Sequence, residues 1–512
     1  MSVTSGTAGR PPETPVQGAR DNANNANNGA ALSAIVQELP WKWRVQGRIF
    51  VIGGLGYLFD AWDVTLNGYL TPLLGTDFHL GMGQRSLVAT ANLVGMAAGA
   101  LLWGAIADRI GRKRAFSITL LVFALFSVLG AAAPDYPVFL VLRFLAGVGL
   151  GGCIPVDYAL VGEFSPRKYR GRVLTAMDAW WPIGGTLCGL VCTGLVSLAG
   201  GSEGSHGVWR WLLVVMVLPA LLLFWIRRGV PESPVFLARN GREAEARAVI
   251  ARLVEETGAG PVTYPAPAPS EPGPREERAD GAVPPPAGRP LAAGWAGLRS
   301  GLVQLGLVWR SAPRITSVAW ALFVTVMLVY YAALSWMPTI LADQGYAETA
   351  AFSGTTLMSG VGIVGVLTAA WLVDVVGRKP LLGLAAPVAA IALVLFAVLL
   401  HTQWAALTLL GLFGFLVQLA IPPLYAYVAE LYPTRIRASG FGAASAASRV
   451  ATGFAPLLFG SVLWPVLGLP LTFAVLGAAV VLAVVWMAFA APETKGRELD
   501  AEETDMGEGV PS

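Results

Sequence analysis

The sequence predicts an all-α membrane protein of twelve transmembrane helices in two six-helix, pseudo-symmetric halves. Three observations predict it. Of the 512 residues, 55% are apolar and only 13% charged, too little charge to cover the surface of a water-soluble chain of this length. Apolar runs near twenty residues recur along the chain, and that length crosses a hydrocarbon core about 30 Å thick. Two polar motifs also return. Gly104-x-x-x-Asp108-x-x-Gly111-Arg112-Lys113 recurs as Ala370-x-x-x-Asp374-x-x-Gly377-Arg378-Lys379, an offset of 266 residues (104 to 370). Glu163-x-x-Pro166-x-x-x-Arg170 recurs as Glu430-x-x-Pro433-x-x-x-Arg437, an offset of 267 (163 to 430). Two independent motifs sharing nearly one offset argue for a duplicated six-helix unit.

The runs place spans beginning near Arg48, Ser86, Phe116, Tyr136, Leu174 and Val208. After a break, others begin near Arg314, Phe352, Leu381, Trp404, Ser439 and Leu469. The expected organisation is a disordered tail over 1–45, a first bundle over 46–230, a linker over 231–311, a second bundle over 312–492 and a tail over 493–512. The linker's middle, 264–290, is rich in Pro, Ala, Gly and Glu and reads as a flexible insertion. The first 40 or so residues lack the apolar core and cleavage site of a signal peptide.

Charge then orients the chain. Arg109, Arg112, Lys113 and Arg114, then Arg167, Lys168, Arg170 and Arg172, then Arg378 and Lys379, then Arg435 and Arg437 occupy loops on one side. The alternate loops are nearly free of Lys and Arg, with Arg85 almost alone. The basic side is expected to be cytoplasmic, with both termini on it, in a cell membrane. Cys153, Cys188 and Cys192 lie in apolar runs, and His79, His206 and His401 in polar breaks. None has metal-ligand spacing, so no metal is expected. Gly149, Gly151 and Gly152 lie inside an apolar span and no Gly-Lys-Ser/Thr follows, so no nucleotide site, and no cofactor, is expected. Neither a metal set nor a nucleophile–base pair marks the chain as an enzyme. The expected partners are a lipid bilayer, a small-molecule substrate and protons, with no nucleic acid.

The motifs carry a resemblance. Gly104 to Arg114 resembles the loop between helices two and three of the major facilitator superfamily, and Arg143-Phe-Leu-Ala-Gly-Val-Gly-Leu-Gly-Gly152 its fourth helix. Pro231-Glu-Ser-Pro-Val-Phe-Leu237 and Pro492-Glu-Thr-Lys-Gly496 resemble the sugar-porter motifs after helices six and twelve. In helix seven the chain departs from sugar porters: Tyr330-Tyr-Ala-Ala-Leu-Ser-Trp-Met-Pro338 replaces their glutamine pair. That stretch, with Phe59-Asp60-Ala-Trp-Asp63, is similar to the metabolite–proton symporter branch that includes niacin transporters. The resemblance implies a monomeric transporter working by alternating access and proton symport, with an organic acid such as a nicotinate-like carboxylate as substrate. A proton-driven exporter and a sugar or polyol symporter are the alternatives.

Ionisable side chains inside a span are costly, about 2.5–3.5 kcal/mol on insertion scales, and so mark function. Asp60, Asp63, Asn67 and Thr71 share one face of the first span. Asp60 sits roughly 18 Å along it, at 1.5 Å per residue. Arg143 and Asp157 share a face of the fourth span about 21 Å apart. Arg143 is expected to approach Asp60 or Asp63. An arginine beside a carboxylate favours its ionised form, and loss of that partner in an apolar cavity favours the protonated form. Asp60, Asp63 and Arg143 are therefore the candidates for proton coupling, with a static ion pair as the alternative. Arg449 is the candidate grip on a substrate carboxylate, because guanidinium binds carboxylate in a two-point fork. Gln418, Tyr330, Tyr331 and Trp336, together with Asn67, Asp157 and Asp178, complete the candidate substrate site. Asp108, Arg112, Glu163, Arg170, Asp374, Arg378, Glu430 and Arg437 are candidate gating residues at the basic end.

Overall fold

The computed structural model describes residue 32 and residues 34–200, 207–218, 221, 225–226, 229–260, 305–433 and 436–495. The expected insertion at 264–290 and the outer parts of both expected tails lie outside these residues. Twelve spans follow in order. In the first half they are α1 (Arg48–Asp77), α2 (Met82–Ile110), α3 (Arg112–Ala131), α4 (Tyr136–Leu150 continued by Cys153–Phe164), α5 (Arg170–Leu198) and α6 (Val208–Val217). In the second they are α7 (Pro313–Asp343), α8 (Glu348–Val376), α9 (Arg378–Val398), α10 (Gln403–Leu431), α11 (Ser439–Leu467) and α12 (Leu469–Ala490). The helices start within four residues of the positions read from the apolar runs. Among the described residues nine helices are individually long and apolar enough to span a bilayer.

Local signals account for the ends. Asp135 caps α4, its carboxylate accepting from the Val138 N–H. Gly111 (φ 98°) and Gly377 (φ 105°) turn the chain sharply between α2 and α3 and between α8 and α9, in a region of backbone space closed to most side chains. Within the first half, α4 lies tight against its neighbours through its glycines. Gly147 and Gly151 face backbone carbonyls of α2, Gly149 faces α3 at Phe123, and Gly152 faces Trp103. Backbones approach this closely only where no Cβ intervenes. The outer surface carries exposed Leu, Val, Trp and Phe residues such as Trp371, Leu482 and Phe489, which suits hydrocarbon rather than water.

Packing begins before position 46. Residues 34–38 are helical, and Leu32, Ile35, Val36 and Leu39 are buried at the three- and four-residue steps of one helix face. The Gln37 carbonyl accepts from the Arg167 N–H at 2.8 Å, tying this segment to the loop between α4 and α5. The linker starts with two further helices, Pro234–Arg239 and Glu243–Thr257. The second buries Ala246, Ile250, Leu253 and Thr257 and leaves its charged side outward.

The halves meet through α1 against α7, α2 against α11 and α5 against α8. The last two pairings exchange under the same duplication that relates the sequence motifs. Away from the basic loops, Arg85 of α2 pairs with Asp343 of α7 at 3.4 Å. Ser86 and Ser461 share a hydrogen bond of 2.9 Å, and so do Tyr69 of α1 and Thr356 of α8 at 3.2 Å. Deeper, a Cβ on Gly68 would stand 2.5 Å from the Leu334 carbonyl oxygen. This end of the bundle is closed. Gly68→Val forces α1 and α7 apart there, so spin labels at Gln84 and Gln344 should report a longer distance than in the parent protein. The three native cysteines are buried, leaving the introduced pair to carry the labels. An unchanged distance distribution in folded Gly68→Val would show that this contact does not hold the end shut.

Candidate functional site

In the first half, four buried side chains close a ring. Arg143 Nη1 lies 2.9 Å from Asp63 Oδ1, both residues with no solvent exposure. Arg143 Nη2 donates to Asn67 Oδ1 at 2.7 Å, and Asn67 Nδ2 donates to Asn92 Oδ1 at 3.0 Å. Asn92 Nδ2 returns to Asp63 Oδ2 at 2.9 Å. The ion pair is close but is not aligned as a hydrogen bond. The two amides supply the aligned bonds instead and hold both charges in place. Arg143 therefore meets Asp63, not Asp60, and Asn67 belongs to this ring. Asn92 was not among the sequence candidates. A lone amide in the apolar run of α2 was the signal available for it, under the same rule that singled out the carboxylates.

Asp60 lies one turn from Asp63 and is fully buried, and among the described residues neither carboxylate oxygen has a hydrogen-bond partner. Its electrostatic neighbours are Arg449 of α11, which attracts it, and Asp63, which repels it. Arg449 acts also on Tyr331 of α7 and Tyr425 of α10. The opposite charge that acts on Asp60 of the first half thus comes from Arg449 of the second.

Beside them runs a chain of aromatic rings drawn from both halves. Tyr57 packs on Tyr158 (ring centroids 5.6 Å) and on Trp181 (5.3 Å), Trp181 on Tyr331 (6.2 Å), and Tyr331 on Tyr330 (5.7 Å). Trp181 Nε1 donates to the Tyr330 hydroxyl at 2.8 Å, and Gln418 Nε2 donates to the same oxygen at 3.1 Å. Tyr158 donates its hydroxyl proton to Asp178. Of the candidate substrate residues, the structure gathers Tyr330, Tyr331, Gln418, Arg449 and Asp178 around Asp60 and these rings. Trp336 is elsewhere: its indole donates to the Pro456 carbonyl and packs on Phe459 and Trp464, over Gly460. Asp157 lies inside the first half, between α1, α3 and α4. Tyr57, Tyr158, Trp181 and Tyr425 join the site without having been candidates, since aromatic residues are common in spans for packing alone.

At the basic end the candidate gating residues pair within each half. Arg112 of α3 stands 3.7 Å from Glu163 of α4. Arg378 of α9 reaches Glu430 of α10 at 3.2 Å and Asp374 at 3.4 Å. The Arg170 guanidinium lies against Gly162, and Arg437 donates to the Tyr432 carbonyl at 3.3 Å. The Asp108 side chain lies outside the described residues. Glu232 accepts from the Lys113 N–H at 3.2 Å, and Glu493 accepts from the Arg378 and Lys379 N–H groups at 3.2 and 3.0 Å. A carboxylate at a helix N-terminus is favoured by the free N–H groups there and by the helix dipole. The two motifs after α6 and α12 thus place equivalent caps in the two halves.

The sequence profile described as "sugar (and other) transporter" matches residues 55–505. The chain belongs to this family of the major facilitator superfamily. The niacin transporter NiaP of Acinetobacter baylyi is 30% identical over 405 residues, 79% of this chain and 84% of the relative. The gallate transporter of Pseudomonas putida is 29% identical over 434 residues, 84% and 89% of the two chains. The xylose transporter XylE of E. coli, in a partially occluded inward-open conformation, superposes with a TM-score of 0.68 at 20% identity, covering 89% of this chain and 99% of its own. The family comprises multi-pass membrane transporters of small metabolites and sugars, and this chain is a transporter rather than an enzyme.

The ring of four sets an expectation for stability. Asp63→Asn leaves the Arg143 charge buried without its counter-ion, which should lower stability by about 3–5 kcal/mol. Asp60→Asn breaks no hydrogen bond and should cost much less. Thermal unfolding of the purified variants in detergent compares the two. Equal losses would mean that the ring does not carry the load assigned to it.

Proposed function

We propose that the chain is a monomeric proton symporter for a small aromatic carboxylate of the nicotinate type, in a cell membrane with its basic loops cytoplasmic. Lys and Arg in short loops favour the cytoplasmic side. The closed end is then external. The observation that carries the proposal is the placement of Asp60 and Arg449 on opposite halves beside the aromatic rings. A substrate carboxylate and Asp60 compete for one guanidinium. Protonation of Asp60 frees Arg449 for the substrate, and substrate bound at Arg449 leaves Asp60 to hold a proton. An aromatic ring on the substrate has the faces of Tyr331 and Trp181 to stack against. The relatives named for niacin and gallate, both aromatic acids, agree with this chemistry.

The coupling predicts its own driving force. A monocarboxylate moving with one proton carries no net charge, so accumulation follows the pH difference, tenfold or about 1.4 kcal/mol per unit. Uptake of labelled nicotinate, gallate and xylose into proteoliposomes, with and without an inward proton gradient, tests the class. Accumulation of an aromatic acid that follows the pH gradient is expected. Accumulation of xylose instead, or loss of preloaded nicotinate driven by the gradient, would replace the proposal with sugar symport or export.

Two variants probe the roles. Asp60→Asn should abolish uphill uptake while keeping exchange of nicotinate for nicotinate. Arg449→Gln should weaken nicotinate binding by tenfold or more, since a charge-assisted hydrogen bond contributes about 1.5–3 kcal/mol. Uphill uptake preserved in Asp60→Asn would remove Asp60 from the coupling.

A further inference from the structure

The first half holds a second carboxylate that the coupling described above leaves unused. Asp157 has no solvent exposure, and among the described residues neither of its carboxylate oxygens has a hydrogen-bond partner. It fills the space made by Gly56 of α1: a Cβ there would stand 2.6 Å from Asp157 Oδ2 and 2.7 Å from the Phe116 ring. Gly56 is one helical turn before Asp60, about 6 Å nearer the basic end. The Asp157 and Asp60 carboxylates lie near enough to repel each other, and both act on the Cys153 thiol. Among the described residues no arginine or lysine forms an ion pair with Asp157. The nearest charged pairs on its own helix are Arg143 with Asp63, about four turns away, and Glu163 with Arg112, nearly two turns away. From α3 it is met by Phe116, while Thr119 on that helix binds the Cys153 thiol. Its neighbour Tyr158 is committed to Asp178 of α5. Asp60, for its part, faces Arg449, Tyr331 and Tyr425 from the second half.

Two buried carboxylates, four oxygens and no donor among them make an arrangement that one proton satisfies and two negative charges do not. We propose that Asp157 and Asp60 form a carboxylate pair that holds one proton between them, making Asp157 a second proton-binding residue of the transport cycle. The proposal rests on Asp60 as the proton site. When the proton passes from Asp157 to Asp60 as substrate takes Arg449, one O–H bond breaks and one forms; Asp157 then takes a replacement proton from water, so the net uptake is one proton. Asp157 lies on the basic-end side of Asp60. It can therefore keep a proton close to Asp60 while Arg449 is engaged by either partner.

Infrared titration of protonated carboxyl groups in the full chain in lipid, from about pH 5 to about pH 9, tests this without any transport. Two interacting carboxylates take up protons in two separated steps, the first at higher pH than either would alone. Asp157→Asn should merge these into one step, moved about one unit toward acid from the parent's first step, a tenfold weaker hold on the proton. Asp60→Asn should do the same to Asp157. A first step unmoved in Asp157→Asn overturns the pair and leaves Asp157 as a packing residue. Should Asp157→Asn fail to fold, Gly56→Ala displaces the Asp157 carboxylate instead, and the same shift, smaller, is required of it. If the titrations couple as expected but Asp60→Asn still accumulates nicotinate uphill, the pair stands and the transport reading falls.

Discussion

The structure depends on how ionised groups are kept inside a bundle surrounded by hydrocarbon. Arg143 and Asp63 sit with no solvent exposure in the middle of the first half, and the attraction of a buried pair offsets its desolvation only when further hydrogen bonds complete the geometry. Asn67 and Asn92 supply those bonds from α1 and α2. Three helices are fixed to one another by this ring, and the position of α1 follows from it. Because Asp63 is committed to Arg143, Asp60 one turn away is left to face the other half. The difference between two aspartates three residues apart is thus a packing result: Asp63 is held by Arg143 and Asn92, and Asp60 is left to the role proposed for it.

The two halves are built alike but joined asymmetrically. Glu232 and Glu493 cap the same turn in each half, and Arg112–Glu163 and Arg378–Glu430 are equivalent pairs. Each half can therefore move as a body without breaking these bonds. Among the described residues, the bonds that must break when the closed end opens include Arg85 with Asp343, Ser86 with Ser461, Tyr69 with Thr356 and with the Phe352 carbonyl, and Trp181 with Tyr330. Trp181 is the deepest of them and touches Tyr331 as well, so the contact between halves and the aromatic face offered to a ligand share one side chain.

Much of the fold was legible because hydrocarbon imposes one rule on every span. Run length located all twelve helices within a turn or so of their starts, and the repeat of Asp108 and Glu163 motifs gave the two halves. The helical segment before α1 was harder to see, since its stripe of Leu32, Ile35, Val36 and Leu39 is shorter than a span and lies in a polar, Asn-rich stretch. In the site, charges were legible and their partners were not. Helical spacing placed Asp60 and Asp63 on one face, but 100° per residue could not say which would meet Arg143; the offset of α4 against α1, set by close glycine contacts, decided that. Tyr57, Tyr158 and Trp181 carried no distinguishing pattern, because an aromatic ring in a span packs equally well against lipid or helix. Trp336, in the same short motif as Tyr330 and Tyr331, is drawn away by the room that Gly460 leaves for its indole.

Under the proposed function a substrate carboxylate and Asp60 compete for Arg449, so that binding the one obliges the other to take a proton. Proton uptake on adding nicotinate to the purified protein in a weakly buffered solution measures this directly. Uptake approaching one proton per nicotinate bound is expected, at a pH where the free protein holds Asp60 ionised against Arg449, and its loss in Asp60→Asn. Nicotinate binding with no proton taken up, or with the same uptake in Asp60→Asn, would contradict it.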